Sequence, residues 1–368
     1  MQGQKNIAYF ITPHGFGHAA RASAVMAALL KKNPNLHFDI FTLVPKWFFD
    51  PTLAGHFDYF SYETDVGIVQ NNSLTEDLAT TVLKLEAMLP FCVPCIGGLV
   101  TQIKHDKCAL VLCDIAPMGI AVAHEAGVPS ILIENFTWDW IYEGYLEQSP
   151  DLAPHINYLK KISREVDYLI QTNPLCENKN ADLTVSPISR QYQTSAIEIR
   201  NALGIPLNAN IVLLTMGGMF WDYTHLEKLE SQNDTYFIIT GAVSIEMVVR
   251  NNLVLLSHAS PFFHPDLINA SDAVVGKVGY STLAEIYQAG IPFGYITRDQ
   301  FVESPILVDF IRREMSGIEI SSDEFTDGSW VEKLSQLLAL PKLNGNHRNN
   351  GAESVADFVM DVLETEVS

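Results

Sequence analysis

Short, almost unbroken apolar runs recur along this chain, and each is followed by a loop and a pattern of helical spacing. The first run, residues 7–11 (IAYFI), precedes apolar residues at helical intervals that end at Asn33-Pro34. An apolar run of this length is typical of a parallel strand buried on both faces. Further strands are predicted at residues 38–44, 109–112, 130–133 and 168–171. Such alternation predicts a doubly wound parallel sheet.

The same alternation is repeated after a polar, proline-bearing stretch at residues 173–194. Strands are predicted there at residues 211–215, 236–240, 253–256, 273–275 and 293–296, and a last amphipathic helix at 351–365. A length of 368 residues also favours two α/β domains over one. We therefore predict Rossmann-like domains at residues 1–185 and 186–345. A carboxyl-terminal helix at 346–368 could pack back on the first domain.

Charge excludes several classes of partner. The chain has 23 Lys and Arg against 43 Asp and Glu, a net charge of −20. Such a chain repels nucleic acid and anionic lipid, so we expect neither as a partner. The apolar run within residues 1–12 is too short for a signal core or a membrane span, and we expect no integral membrane segment and a cytoplasmic location.

The five cysteines predict neither a zinc site nor redox chemistry. They lie in apolar segments, and we interpret them as reduced thiols. Cys92 and Cys95 form a C-x-x-C, but Pro94 lies inside it and no second ligand pair follows. We therefore predict no metal site.

Residues 12–21 (TPHGFGHAAR) follow the first strand, at the edge where open α/β sheets bind ligands. Gly15 and Gly17 allow a tight turn and close approach to a ligand. His18 falls in the opening turn of the helix, where the positive field favours a neutral imidazole, the form that a general base requires. A histidine that caps a structural turn explains the motif equally well. The string also fits G-x-G-x-x-A, but no acidic residue ends the second predicted strand, so a dinucleotide site is disfavoured.

Residues 276–285 (GKVGYSTLAE) connect a strand to a helix that closes at Gly290. Gly276 and Gly279 permit a loop whose amides converge on an anion, and Lys277 supplies a cation. Ser281 and Thr282 can cap the helix or donate to phosphate oxygens, which predicts a diphosphate site. Glu285, placed in the first turn, suits the paired hydroxyls of a ribose. Compensation of the helix dipole is the alternative for that carboxylate.

Two more loops leave the same predicted edge of the second sheet. After the strand at 293–296, polar side chains suit a sugar or a phosphate, with a solvated loop as the alternative. These side chains are Arg298, Asp299, Gln300 and Glu303. Gly217 and Gly218 follow the strand at 211–215 and could approach the phosphates or form only a turn.

In the first half, two segments follow strands and face the same ligand edge. Asp114 could orient His18 or could cap the next helix. Asn135, Trp138 and Asp139 combine flat and polar surfaces of the kind that bind sugar rings, and with His14 they are predicted acceptor contacts. A core position is the alternative for Trp138.

These motifs together resemble the GT-B glycosyltransferases, including the MurG-like and plant UDP-glycosyltransferase families. Four segments are also similar to the glycosyltransferase-like amino-terminal region of L-arabinokinase proteins, over roughly residues 5–340. They are residues 15–18 (GFGH), 113–117 (CDIAP), 135–142 (NFTWDWIY) and 276–280 (GKVGY).

The resemblance implies the GT-B fold, an α/β architecture of two Rossmann-like doubly wound domains facing across a cleft. It places His18 where the acceptor-activating base lies and Glu285 where the ribose binds. Lys277, Gly279, Ser281 and Thr282 fall where the donor diphosphate is held, and residues 299–303 near the donor sugar. The plant signature has a histidine at the position of Lys277, and the loop before Glu303 aligns only with a shift.

The sequence thus predicts a metal-independent, inverting hexosyltransferase that needs no cofactor. Its substrates would be a nucleotide sugar, most simply UDP-linked, and the hydroxyl of a small molecule or glycan. A GT-B sugar-nucleotide epimerase and a non-catalytic nucleotide-sugar-binding module are the alternatives. An NAD oxidoreductase is a further alternative, but it would not explain the motif at residues 276–285.

Overall fold

A computed structural model describes residues 4–72, 75–217, 223–243, 246–298, 301–343 and 349–365. The chain divides into two compact units. The first comprises Met1–Ile188 and Asn350–Ser368, and the second Ser189–Asn349. The expected bounds were 185/186 and 345/346.

The first unit is built on a seven-stranded parallel sheet with the strand order β3-β2-β1-β6-β7-β8-β9. Its strands are β1 (Lys5–Ile11), β2 (Leu36–Thr42), β3 (Phe57–Ser61), β6 (Cys108–Asp114), β7 (Ser130–Glu134), β8 (Tyr168–Thr172) and β9 (Leu183–Val185). A separate two-stranded sheet pairs β4 (Gln70–Asn72) with β5 (Thr75–Glu76). The central strands carry apolar side chains on both faces because helices cover both sides of the sheet.

The helices of this unit are α1 (Gly17–Lys32), α2 (Asp50–Leu53), α3 (Leu78–Met88), α4 (Val93–His105), α5 (Pro117–Ala126), α6 (Trp138–Glu143), α7 (Ala153–Ser163) and, from the end of the chain, α15 (Gly351–Thr365). Helix α15 packs against α1 and shares its apolar core. Gly127 ends α5 with a left-handed φ of 69°, the conformation that glycine adopts most readily at a helix end.

The second unit is also built on a seven-stranded sheet, with the strand order β12-β13-β11-β10-β14-β15-β16. Only the edge strand β12 is antiparallel among the described pairings of this sheet. The strands are β10 (Asn210–Thr215), β11 (Thr235–Thr240), β12 (Val248–Arg250), β13 (Leu253–Leu256), β14 (Ala273–Lys277), β15 (Phe293–Ile296) and β16 (Gly317–Ile320). The helices are α8 (Ala196–Ala202), α9 (Leu226–Glu230), α10 (His264–Ala270), α11 (Tyr280–Ala289), α12 (Ser304–Glu314), α13 (Ser322–Asp327) and α14 (Leu334–Leu338).

Both sheets contain a point where the strand order reverses. In the first sheet β1 lies between β2 and β6, and in the second β10 lies between β11 and β14. The loops that leave the carboxyl ends of such neighbouring strands diverge to opposite faces of the sheet, which leaves a crevice where doubly wound folds bind ligands. The ends of β1 and β6, and of β10 and β14, are therefore the places to look for a site.

The cysteines correct one expectation. Cys92 and Cys95 form a disulfide at the start of α4, whereas the sequence predicted reduced thiols. Cys108 and Cys113 are buried free thiols, and Cys176 is a half-buried one.

Within the described ranges no single helix is both long and apolar enough to cross a membrane, although the bent pair α3 and α4 would meet that test jointly.

Candidate functional site

The reversal point of the first sheet brings His18 and Asp114 together. β1 ends at Ile11, and after a short loop α1 begins at Gly17, which places His18 in its first turn. Asp114 is the last residue of β6. The Nδ1 atom of His18 lies 2.9 Å from Oδ1 of Asp114, and the two residues are 8% and 0% exposed. Asp114 therefore lies where it can orient the His18 ring, one of the two roles predicted for it.

The capping alternative for Asp114 does not fit the structure. Helix α5 begins at Pro117, its N-cap is Ala116, and no side chain caps it. The carboxylate is instead held by Arg21, whose Nε donates to Oδ2 at 2.8 Å and whose Nη2 donates to Oδ1 at 2.6 Å. Asp114 therefore faces two basic side chains of α1.

Arg21 is the main residue that sequence reasoning missed. It is 1% exposed, and besides Asp114 it donates from Nη1 to Oδ1 of the buried Asn135 at 2.7 Å. Burial raises the pKa of Asp114, but the Arg21 charge and hydrogen bonds from Arg21 and His18 outweigh it and hold that pKa below its ordinary value. The sequence did contain a signal for Arg21, because it is a charged residue three positions after His18 and therefore lies on the same helix face.

Of the predicted acceptor residues, Asn135, Trp138 and Asp139 follow β7, whereas His14 follows β1. His14 contacts the Trp138 ring edge-on, with centroids 5.2 Å apart, and Trp138 stacks on Tyr142 at 5.9 Å. Trp138 is only 2% exposed, so the structure favours the core alternative over an open sugar-stacking surface. Asp139, at 7% exposure, lies in the first turn of α6, and burial raises its pKa.

Asp65 is a second residue that sequence reasoning missed, and it lies near Trp138. Asp65 is 4% exposed and accepts a hydrogen bond from Oγ1 of Thr12 at 2.7 Å. Burial raises its pKa to about 7, although hydrogen bonds from Thr12 and Trp138 act in the opposite direction. This carboxyl group titrates near neutral pH at the same sheet edge as His18.

The second unit places the predicted diphosphate residues around the end of β14. Gly279 is the N-cap of α11 with an extended φ of −159°, and a Cβ built there would meet nothing within 4 Å. Ser281 and Thr282 lie in the first turn of this helix and are half-buried, as is Lys277 at the end of β14. Gly217, after β10, has a left-handed φ of 67°, and a Cβ there would lie 3.9 Å from Cε of Lys277. These residues form one group within this unit.

Gly276 has a different role from the one predicted. It lies inside β14, and a Cβ there would come 2.1 Å from the carbonyl oxygen of Thr215 on β10. Glycine is required at this position by the close approach of two strands, not by an anion-binding loop.

Glu285 also differs from its prediction. Helix α11 begins at Tyr280, so Glu285 lies beyond the first turn, and it is 5% exposed. Arg190 Nε donates to one carboxylate oxygen at 2.9 Å, and His264 Nδ1 lies 2.8 Å from the other. Burial raises the pKa of Glu285, but the charge of Arg190 and the hydrogen bond with His264 hold it below its ordinary value. The ribose contact stays a prediction. A ribose hydroxyl bound here would donate to a carboxylate that already has Arg190 and His264 as partners.

The loop after β15 is described in part. The guanidinium of Arg298 lies 3.6 Å from the centre of the Phe301 ring, and Glu303 is the N-cap of α12. Both are buried, at 8% and 4% exposure. The predicted contacts Asp299, Gln300 and Gly218 lie outside the described residues.

Comparisons with known proteins agree with this architecture. No family model matches the chain. It is 28% identical over 365 residues to an L-arabinokinase of Arabidopsis thaliana, with 96% of the chain aligned to 34% of that protein. The chain thus spans about a third of the length of this relative.

Solved structures match over nearly the whole chain. The glycosyltransferase of kitacinnamycin is 16% identical with a TM-score of 0.63, and the aligned region covers 97% of this chain and 98% of that protein. UGT89C1 of Arabidopsis thaliana in complex with UDP is 14% identical with a TM-score of 0.65, at 98% and 99% coverage. A UDP-glucosyltransferase of Polygonum tinctorium capable of glucosylating indoxyl is 12% identical with a TM-score of 0.65, at 99% and 100%. With its two seven-stranded, parallel-dominated sheets, the chain has the GT-B fold that the sequence predicted.

Proposed function

We propose that this protein transfers a sugar from a nucleoside-diphosphate sugar to an acceptor hydroxyl with inversion, and that His18 is the general base. The observation that carries the proposal is the buried contact of His18 with Asp114 at 2.9 Å, backed by Arg21. It lies where doubly wound sheets bind ligands, and the GT-B neighbours include proteins named for glycosyl transfer.

His18 can act as a base without a metal ion. If Nδ1 is protonated and donates to Asp114, the lone pair of the neutral ring lies on Nε2. Nε2 then removes the acceptor proton while the acceptor oxygen attacks the anomeric carbon. The bond from that carbon to the diphosphate breaks on the opposite side, and the nucleoside diphosphate leaves with the electron pair. A single displacement of this kind inverts the anomeric centre.

The second unit offers the groups that a departing diphosphate needs. The start of an α-helix is favourable for an anion, because its amides and the positive end of the helix dipole point toward it, and α11 begins at this sheet edge. Lys277 adds a positive charge at the same sheet edge, and Ser281 and Thr282 add hydroxyl donors. Such preorganised donors stabilise the leaving group, a task that a metal ion performs elsewhere. Contacts of Glu285 with ribose, and of Arg298, Asp299 and Glu303 with the sugar, belong to the same proposal.

Donor binding can be tested by thermal shift against a panel of UDP-, GDP- and dTDP-sugars. A ligand selective for the folded state stabilises it by about 2.7 kcal/mol at 100 times its Kd. We expect a UDP-sugar to give the largest shift. Lys277→Ala should reduce that shift, whereas Lys228→Ala, which removes an exposed lysine of the same unit, should leave it unchanged. No shift with any nucleotide sugar would contradict the proposal.

A nucleotide-sugar-binding module without turnover is the second candidate. It is favoured by the similarity to one third of a protein named for a different reaction. Such a module would give the same thermal shifts but no free nucleoside diphosphate with any acceptor. Products formed from the donor in the absence of acceptor would indicate an epimerase.

A further inference from the structure

The Cys92–Cys95 disulfide lies at the surface of the first unit, where α4 begins. Cys92 is the half-buried N-cap of this helix, and Cys95 is an exposed residue of its first turn. The two residues between them, Val93 and Pro94, are exposed as well. A thiolate that arrives from solvent can therefore reach the disulfide at Cys95.

The two buried free cysteines of this unit have the opposite character. Cys108 and Cys113 are 6% and 0% exposed, and burial raises the pKa of both thiols. Buried thiols of this kind are inert, whereas reactive cysteines are accessible and ionise readily. The chemistry available to sulfur in this unit is thus concentrated at the start of α4.

The disulfide adds little to the stability of the fold. It joins residues only three positions apart, and the stabilisation by a cross-link grows with the length of the loop that it closes. The first turn of α4 is also held by hydrogen bonds from the amides of Cys95 and Ile96 to the Cys92 carbonyl oxygen, at 2.8 and 3.1 Å. Four apolar side chains anchor the helix in the core of the unit, namely Ile96, Leu99, Val100 and Ile103. Helix α4 should therefore keep its place when the disulfide is reduced.

The start of α4 also favours a thiolate at Cys92. Cysteines at a helix N-terminus, or in a C-x-x-C, ionise more readily than ordinary cysteines because the positive end of the helix dipole stabilises the anion. Residues 93–96, the described first turn of α4, include no acidic side chain that would oppose this field. The sequence prediction counted Pro94 against redox chemistry, but the structure places it in the first helical turn, where proline is tolerated.

We propose that Cys92 and Cys95 are a redox-active pair that exchanges two electrons with an external dithiol. One thiolate of the dithiol attacks Sγ of Cys95, and the electron pair of the Cys92–Cys95 bond leaves on Sγ of Cys92. The second thiolate then attacks the dithiol's own sulfur in this mixed disulfide, and Cys95 leaves as a thiolate. The dithiol becomes a disulfide, and its two protons pass to the Cys92 and Cys95 thiolates. This exchange is independent of the proposed sugar transfer.

The first test is an equilibrium titration of the full-length wild-type protein in mixtures of reduced and oxidised glutathione, which set the potential. Acid quenching, alkylation of free thiols and peptide mass spectrometry then report each cysteine separately. We expect Cys92 and Cys95 to become more than half reduced in mixtures that leave structural disulfides oxidised. Dithiothreitol, the dithiol probe, should convert both cysteines together into free thiols. The melting temperature of the reduced protein should fall by at most about 5 °C.

The second test compares the two thiols in matched variants. Cys95→Ser leaves a free thiol at Cys92, and Cys92→Ser leaves one at Cys95. At pH 6 we expect iodoacetamide to alkylate Cys92 at least about three times faster than Cys95, although Cys92 is less exposed, because the helix start stabilises its thiolate. Cys176, another free thiol of the same unit, is the internal control and should react equally in both variants.

Three outcomes would overturn the proposal. They are a Cys92–Cys95 disulfide that stays oxidised in every glutathione mixture, a first unit that unfolds when the disulfide is reduced, and a Cys92 thiol that reacts no faster than Cys95. None of these measurements depends on donor binding or turnover, so their failure is distinguishable from failure of the proposed transfer.

Discussion

Replacing Arg21 with methionine should destabilise the first unit because it leaves the Asp114 carboxylate buried without its main counter-charge. Arg21 supplies two hydrogen bonds to this carboxylate and one to Asn135, and all three residues are at most 1% exposed. Methionine keeps much of the side-chain volume, so the effect reports charge and hydrogen bonding more than packing.

The expected loss can be worked from these contacts. Removing one partner of a buried ion pair costs about 3–5 kcal/mol, and the lost hydrogen bond from the Arg21 guanidinium to Asn135 costs about 1.5–3 kcal/mol. These costs overlap, so we expect a loss of about 3–5 kcal/mol in the free energy of unfolding at neutral pH.

The pH dependence of the stability loss shows whether Arg21 acts by neutralising Asp114. In the wild type the pKa of Asp114 is lowered, so its contribution is lost only as pH falls below the ordinary range of a carboxyl group. Without Arg21, burial raises the pKa of Asp114 above its unfolded value, and the variant recovers stability as pH falls through that raised pKa. Asp114→Asn in the Arg21→Met background should remove this recovery and restore part of the stability at neutral pH.

The assay is urea unfolding followed by pulsed hydrogen exchange and mass spectrometry of peptides from β1 and β6, which report the first unit separately from the second. The variants are compared with wild type at each pH, so that other titrating groups cancel. A loss below about 1 kcal/mol, or a double variant no more stable than Arg21→Met alone, would show that Arg21 does not neutralise Asp114.

Three further substitutions, at Asp65, Gly276 and Gly279, have distinct expected effects. Burial raises the pKa of Asp65 to about 7, so the ionised carboxylate opposes folding and the wild type loses stability as pH rises through that value. Asp65→Asn should therefore be more stable than wild type by up to about 4 kcal/mol at alkaline pH and equally stable near pH 4. Matched urea titrations of the two proteins at both pH values measure this difference. An equal difference at both pH values would contradict this assignment. Gly276→Ala should lower the melting temperature strongly, because its Cβ would lie 2.1 Å from the Thr215 carbonyl oxygen. Gly279→Ala should lower it only slightly, since a Cβ there meets nothing within 4 Å and only the N-cap becomes less favourable, but it should lose part of the donor-induced shift. Retention of the full shift by Gly279→Ala would argue against close approach of the phosphates to the start of α11.

The fold could be predicted where strands are buried on both faces. Every interior strand of the two seven-stranded sheets was predicted from its apolar run, while the four edge strands of these sheets, β3, β9, β12 and β16, were missed. Edge strands are covered on fewer sides, so their residues alternate or are largely exposed, as in β12. Without β3 there was no reason to place Asp65 at a ligand edge.

Predictions for the site depended on sequence distance. His18 and Asp114 could each be placed at a strand end, and parallel order then brings strand ends together. The partners of Glu285 could not be predicted, because Arg190 lies 95 residues and His264 lies 21 residues away, on other elements. The Cys108–Asp39 contact crosses β1 and likewise has no local signal. Trp138 illustrates a different limit, since composition does not distinguish a sugar-stacking ring from a buried one.

The most direct test of the proposed transfer separates donor binding from turnover in two variants. With the best nucleotide sugar from the thermal-shift panel and an acceptor that supports release of nucleoside diphosphate, His18→Ala should reduce kcat by about 10²–10⁴ and leave the donor Kd nearly unchanged. Lys277→Ala should instead raise the donor Kd. If His18→Ala keeps wild-type turnover, or loses donor affinity together with turnover, His18 is not the base and the proposed mechanism is wrong.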